Sequence, residues 1–225
     1  MPRRSKQDFY NLDYLKIKND IEYEVGDVTD QNCMHKVISK VKPNEVYNLA
    51  AQSFVGNSWE LSGTTTDVNA MGPLNILNAI KSINKKIKFY QASTSELYGN
   101  SMQNIQNEKT RFEPASPYAI SKLYAYWTTV NFRESYDMFC SNGILFNHES
   151  PIRGIEFVTR KISDGVAQIK CGKKKFISLG NINSMRDWGF AGDYVEAMWL
   201  MMQEDKSSDY VIATKEQYSI KDFLK

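Results

Sequence analysis

The stretch "KIKFYQASTSELYG" (residues 86–99), followed by "SPYAISKLYAYWTTVNFRESYD" (residues 116–137), decides the architecture. The apolar run at its start predicts a buried strand, and the second stretch predicts a helix. Ser116 stands at the cap and Pro117 in the first turn, where a missing N–H costs nothing. The strand ends in two hydroxyls and a carboxylate, Thr94, Ser95 and Glu96. A neutral turn is the usual exit from a core, so the carboxylate asks for a reason.

Working outward, the same alternation of strand and helix recurs. "IEYEVGDVTD" (21–30) alternates and predicts a strand. "QNCMHKVISKVKP" (31–43) carries Met34, Val37, Ile38 and Val41 at helical spacing, stopped by Pro43. "NEVYNLAAQS" (44–53) predicts a strand and "DVNAMGPLNILNAIKSI" (67–83) a helix. "FCSNGILFN" (139–147) predicts a further strand. Strands alternating with helices of this length imply an α/β fold with a mostly parallel, doubly wound sheet covered on both faces. Such sheets bind ligands beyond the carboxyl ends of their strands. Asp27, Ala50 to Ser53, Thr94 to Glu96 and Asn147 to Glu149 lie at such ends and are expected to face one crevice. After Pro151 the pattern loosens: a helix over 157–172, a short strand over 176–181, a helix over 191–203, a strand over 209–214 and the start of a helix over 219–225. The expected division is a sheet domain, 1–150, and part of a smaller lobe, 151–225.

Composition narrows the class. With 42% hydrophobic and 24% charged residues the chain reads as an ordinary globular protein. A net charge of +2 gives no bulk attraction to nucleic acid or membrane surfaces, and neither is expected as a partner. The lysine clusters at 85–88 and 173–175 read as solvated helix ends or loops. Three scattered cysteines make no disulfide framework, and with two histidines they offer too few ligands for a metal. No signal peptide or membrane span is evident, so a cytoplasmic location is expected.

Tyr118 and Lys122 in "YAISK" are four apart, so both project from one helix face. A tyrosine of ordinary pKa, ~10, is a poor base at neutral pH. An adjacent ammonium lowers that pKa by favouring the phenolate. A Tyr-x-x-x-Lys match alone is also compatible with an ordinary surface pair. Its place on a helix after a Ser/Thr-ended strand sharpens it.

At this point the sequence resembles the extended short-chain dehydrogenase/reductase family, and within it the GDP-mannose 4,6-dehydratases. The likeness runs through "RRS", "GDVTD", "EVYNLAAQS", "FYQASTSELYG", "SPYAISKLYAYW", "NGILFNHESP", "FVTRKI", "LGN", "RDWGFAGDYVEAMW" and "DYVIAT". The resemblance implies a Rossmann-type fold, NADP as cofactor and GDP-mannose as substrate. In that family NADP takes a hydride from C4 of the sugar and returns it to C6, and water leaves between those steps. Glu96 then matches the base that takes the C5 proton, although it could simply cap the next turn. Thr94 matches the residue holding the 4-hydroxyl, Tyr118 the phenolate and Lys122 its ammonium partner at the nicotinamide ribose. Ser95-Glu96, where glucose-type dehydratases carry Asp-Glu, favours the mannose branch.

The resemblance also implies cofactor contacts. Arg3, Arg4 and Ser5 match the motif whose guanidinium groups meet a 2′-phosphate, with a flexible basic terminus as the alternative. Asp27 and Val28 match an adenine contact. Leu49, Ala50, Ala51, Gln52 and Ser53 match the strand end lining the cofactor. His148 and Arg153 match cofactor-side residues, although a lone histidine there could be an ordinary turn residue. Asn147, Val158, Lys161 and Arg186 match positions meeting the GDP part. The two cations suit a diphosphate, and by themselves they would read as surface cations. A homo-oligomer is expected of the full-length protein.

The sequence departs from the family at several positions. No Gly-x-x-Gly-x-x-Gly turn occurs in it, so the first β-α unit and its phosphate-binding helix start are expected to be missing. The chain accordingly reads as a fragment, cut at both ends. Phe54 and Thr64 stand where the family has His and a cofactor-contacting Tyr; Met185 and Ile152 replace Lys and Arg. Two rivals stay open: another nucleotide-sugar dehydratase or epimerase of the superfamily, and an inactive remnant that binds without turnover. Glu96 argues against an epimerase, which needs no C5 base.

Overall fold

The computed structural model describes residues 9–101 and 105–225. In chain order the elements are α1 (Tyr10–Tyr14), α2 (Gln31–Val41), β1 (Glu45–Asn48), α3 (Ser62–Thr66), α4 (Gly72–Ile83), β2 (Lys88–Ala92), α5 (Pro117–Tyr136) and β3 (Cys140–Leu145). They continue with β4 (Asn147–Glu149), α6 (Val158–Lys170), β5 (Met185–Arg186), β6 (Trp188–Phe190), α7 (Ala191–Gln203), β7 (Asp209–Ile212), β8 (Tyr218–Ser219) and α8 (Ile220–Phe223). Two compact units result. Among the described residues, the first holds those from 9 to 144 and 198–211, the second 145–197 and 212–225, so the chain returns to the first unit after leaving it.

The first unit is built on a sheet of order β1-β2-β3-β7. Its β1, β2 and β3 run parallel, with Asn48 opposite Gln91 and Ala92 opposite Gly143. β3 is buried along its whole length and β2 over Phe89 to Gln91, whereas β1 is half-buried until Asn48. Asp30 caps α2 by accepting from the Cys33 amide, and Ser116 caps α5 by accepting from the Ala119 amide at 3.1 Å. A π-helical turn, Asp67–Met71, joins α3 to α4. Met34 and Ile38 of α2, Ile76, Leu77 and Ile80 of α4, Phe89 of β2, Phe132 of α5 and Cys140 of β3 meet in one core.

A buried charge cluster locks α5 to the sheet. Asp209 accepts from Arg133 through both carboxylate oxygens at 2.8 and 2.9 Å. Asn142 and Tyr126 complete its shell at 2.8 and 3.0 Å.

In the second unit β4 pairs parallel with β6, and β5 antiparallel with β8. Gly172 ends α6 at φ +71°, the left-handed conformation of a helix stop. Ser219 and Asp222 form a reciprocal capping box at the start of α8.

Two expected strands are corrected. Residues 21–30 form no strand: Ile21, Tyr23 and Val25 are exposed, and no ladder partner lies beside them among the described residues. Alternation prepares a segment to pair but does not supply the neighbour. Residues 176–181 likewise form none; Phe176 is exposed, and Ile177 packs over Gly165, where a Cβ would come within 2.6 Å of its side chain. All three cysteines are free. No helix among the described residues is long and apolar enough to cross a membrane.

Candidate active site

In the first unit, α5 carries Tyr118 and Lys122 one turn apart, and both side chains are buried. The Lys122 ammonium lies 6.0 Å from the Tyr118 ring centroid and donates to the Ala92 carbonyl at 2.9 Å. That bond ties the helix to the end of β2. Lys122 is only 3% exposed. Burial disfavours its charge and pulls its pKa down to about 8. It is therefore a cation held near its point of proton loss, within reach of a phenol's π-face.

Beyond the end of β2, Thr94 accepts from the Glu96 amide at 3.2 Å and starts a 3-10 turn, Ser95–Leu97. Leu97 is fully buried and anchors the turn. The cap is therefore made by Thr94, and the half-buried Glu96 carboxylate makes no hydrogen bond among the described residues. It is left available for chemistry.

After β1, Gln52 is clasped by Asn69: the Gln52 amide donates to Asn69 at 2.8 Å and its carbonyl accepts from the Asn69 side chain at 3.1 Å. Asn69 also donates to Ser121, whose hydroxyl donates to the Tyr118 carbonyl at 2.7 Å. Among the described residues, Gln52 Oε1 and Ser93 Oγ are buried without a partner. Leu49, Ala50 and Ser53 are exposed and Ala51 half-buried. Asp27 accepts from the Thr29 amide and hydroxyl, while Val28 packs on the core and accepts from Asn75 at 2.9 Å. Arg3, Arg4 and Ser5 lie outside the described residues.

In the second unit, β4 supplies Asn147 and His148. The His148 ring stacks on Tyr194 at 4.6 Å, with Nδ1 2.9 Å from the Phe146 carbonyl. Burial lowers its pKa, so the neutral ring is favoured. Arg153 pairs with Glu149 at 3.2 Å and covers the Phe157 ring at 3.6 Å. Thr159 donates to the same Glu149 carboxylate at 2.6 Å. Val158 opens α6; Lys161 is exposed on it. Arg186, exposed on β5, donates to the Met185 carbonyl at 2.7 Å. Among the described residues no side-chain hydrogen bond or ion pair joins Lys161 or Arg186 to Asn147, His148, Arg153 or Val158. A hollow of about 650 Å³ is lined by Glu149, Arg153, Arg160, Trp188, Phe190 and Phe223.

Sequence reasoning missed Asn48, Gln91, Asn69 and Asp187, all buried. Asp187 accepts from the Thr214 and Lys215 amides and clamps that turn beside Arg186. The signal available was a polar residue inside an apolar strand, as in "FYQAS".

The chain matches the family described as GDP-mannose 4,6 dehydratase over residues 2–225. A GDP-mannose 4,6 dehydratase of Dictyostelium discoideum is 54% identical over 221 residues, covering 97% of this chain and 62% of that protein. The human one is 52% identical over 217 residues, covering 96% and 58%. The chain thus spans about three fifths of the length of these relatives. A solved structure of RMD from Pseudomonas aeruginosa complexed with NADPH superposes with a TM-score of 0.84 at 20% identity, covering 96% of this chain and 78% of that one. That likeness speaks to the fold, which is Rossmann-type. With a family match along nearly its whole length, the chain belongs to the GDP-mannose 4,6-dehydratase family.

Proposed function

We propose that the chain carries the catalytic residues for converting GDP-mannose to its 4-keto-6-deoxy product with loss of water, a hydro-lyase reaction. The observation that carries this reading is Lys122, buried beside Tyr118 and bonded to the strand whose end presents Thr94 and a Glu96 carboxylate without a hydrogen bond among the described residues. Tyr118, as phenolate, takes the proton of the C4 hydroxyl while Thr94 holds that hydroxyl. The resulting C4 ketone makes the C5 proton acidic. Glu96 removes it and passes it to the C6 oxygen as the electron pair left on C5 expels that hydroxyl, so that water leaves. An epimerase would have no use for that carboxylate.

Bound NADP supplies the hydride acceptor at C4 and the hydride donor at C6. The chain's residues fit its nicotinamide-ribose end: Lys122 offers ammonium donors, Gln52 Oε1 and Ser93 Oγ are buried polar atoms awaiting partners, and Leu49 and Ala50 give an open apolar edge. Asp27, Val28, Ala51, Ser53, His148 and Arg153 are assigned to the same cofactor, and Arg3, Arg4 and Ser5 to its 2′-phosphate. The sequence holds no glycine-rich turn for the pyrophosphate. We assign residues 1–150 to the NADP side and 151–225 to the sugar-nucleotide lobe. Asn147, Val158, Lys161 and Arg186 would meet the GDP. The three free cysteines fit a cytoplasmic protein, and the full-length protein is read as a homo-oligomer.

The test is the mass of GDP-mannose incubated with the chain and NADP. Loss of one water would establish the dehydration, and Glu96→Gln should then abolish it while leaving nucleotide binding intact. Full-rate dehydration by Glu96→Gln would remove Glu96 from this role. The rival reading is binding without turnover. It prevails if GDP-mannose binds, by calorimetry, and its mass never changes.

A further inference from the structure

We propose that Gln91 is a positioning residue for Lys122: its side-chain amide, braced by Asn48, shares the Ala92 carbonyl with the lysine and sets both where the ammonium sits and how readily it gives up a proton. This rests on the reading of Lys122 as the active-site lysine.

The arrangement is a chain of buried hydrogen bonds. Asn48 and Gln91 face each other in register across β1 and β2. The Asn48 amide donates to Gln91 Oε1 at 2.9 Å, and Gln91 Nε2 donates to the Ala92 carbonyl at 2.8 Å. Lys122 Nζ donates to that same oxygen at 2.9 Å. A carbonyl oxygen has two lone pairs, and here both are taken. Reversing the Gln91 amide would set its oxygen against the Ala92 oxygen, so the network fixes the orientation. At the other end, the Ala50 amide donates to Asn48 Oδ1 at 3.3 Å. The chain therefore connects the segment after β1 to the lysine. Gln91 is 1% exposed and Asn48 4%, so water does not compete for these bonds.

The chemical consequence follows from what surrounds the ammonium. Its hydrogen-bond partner is a neutral carbonyl that a second donor already polarises. The N–H end of the Gln91 dipole points at the oxygen the ammonium uses, which disfavours added positive charge. Tyr118 is the titratable group at its side. Segments packed against α5 carry Asp67, Glu96, Lys81, Lys88 and Tyr90. None of these is hydrogen-bonded or ion-paired to the ammonium among the described residues. Burial pulls the Lys122 pKa down to about 8, and the shared carbonyl is the second influence proposed to weaken its hold on the proton.

The test is the titration of Lys122 itself, followed by NMR of the isotope-labelled lysine Cε–Nζ group in the 225-residue chain without substrate or cofactor. Gln91→Glu replaces the second donor with a carboxylate and is expected to raise the midpoint by about 1 unit or more. Gln91→Met, similar in length and apolar, removes the donor and is expected to raise it by less. A folded Gln91→Met chain whose Lys122 midpoint matches wild type overturns the proposal, and it decides the matter even if Gln91→Glu does not fold. A purely structural Gln91 would change stability and leave that midpoint in place. The two readings also fail separately. A midpoint that moves in a chain that never dehydrates GDP-mannose keeps this inference and removes the catalytic one; an unmoved midpoint in an active chain does the reverse.

Discussion

In the first unit the candidate lysine is 3% exposed, held by a named carbonyl and carried on a 20-residue helix. In the second, Lys161 and Arg186 are exposed, and Arg186 sits on a two-residue strand bonded to its own neighbour's carbonyl. The first arrangement suits proton transfer, where a small displacement of the acid or base is costly. The second suits capture of a charged ligand, where a mobile cation can adapt. The contrast teaches that the two sets of residues should respond to mutation in opposite ways. Changes in the first should register in stability and proton affinity, those in the second in ligand affinity alone.

The largest effect is expected at the cluster that locks α5. Asp209→Ala leaves Arg133 buried without its anion and removes the acceptor of Asn142 and Tyr126. Breaking a buried pair from one side costs about 3–5 kcal/mol. A urea unfolding midpoint that barely moves would show that α5 is held by packing alone.

Lys122 gives a pH dependence of determined sign. Its folded pKa, about 8, lies below the ordinary lysine value, so between those pH values the unfolded chain binds more protons than the folded one. Stability therefore rises with pH through that window, by on the order of 3 kcal/mol. Above about pH 10 the trend reverses. Burial raises the pKa values of Tyr90 and Tyr126 in the fold, so the unfolded chain ionises first. Denaturant titrations at several pH values should trace this dome, and Lys122→Met should flatten its rising side.

Arg186→Ala tests the other half of the contrast. As an exposed residue away from any buried pair it should change stability by no more than about 0.5 kcal/mol. Affinity for GDP should fall by roughly 10- to 100-fold, the loss of one charge-assisted contact. A stability loss without an affinity loss, by calorimetry, would reverse the roles assigned to the two units.

The same contrast explains what the sequence disclosed. β2, β3 and α5 are buried against a large core, which forces an apolar pattern long enough to read. Tyr118 and Lys122 were legible from spacing, and Thr94 and Glu96 from polarity at a strand end. Residues β4, β5, β6 and β8 comprise only two or three positions each, too few to carry a period, and they exist through partners distant in the chain. The expected strand at 21–30 failed for the complementary reason, since it has a period but no neighbour among the described residues. Gln91 and Asn48 are 43 residues apart. Neither is unusual alone, so their shared support of Lys122 became visible only once β1 and β2 were aligned.

The smallest expected effect isolates local conformation from packing in the second unit. Gly172 ends α6 at φ +71°, and a Cβ added there would meet nothing within 4 Å. Gly172→Ala therefore introduces no clash, and its cost is the left-handed backbone alone, about 1 kcal/mol. Gly165, inside the same helix, is the matched control: a Cβ there would come within 2.6 Å of the Ile177 side chain, in an ordinary helical conformation. Comparing the two alanine variants by thermal unfolding separates strain from crowding. If Gly172→Ala were neutral, the turn after α6 would be free to rearrange, and the left-handed conformation would not be what stops the helix.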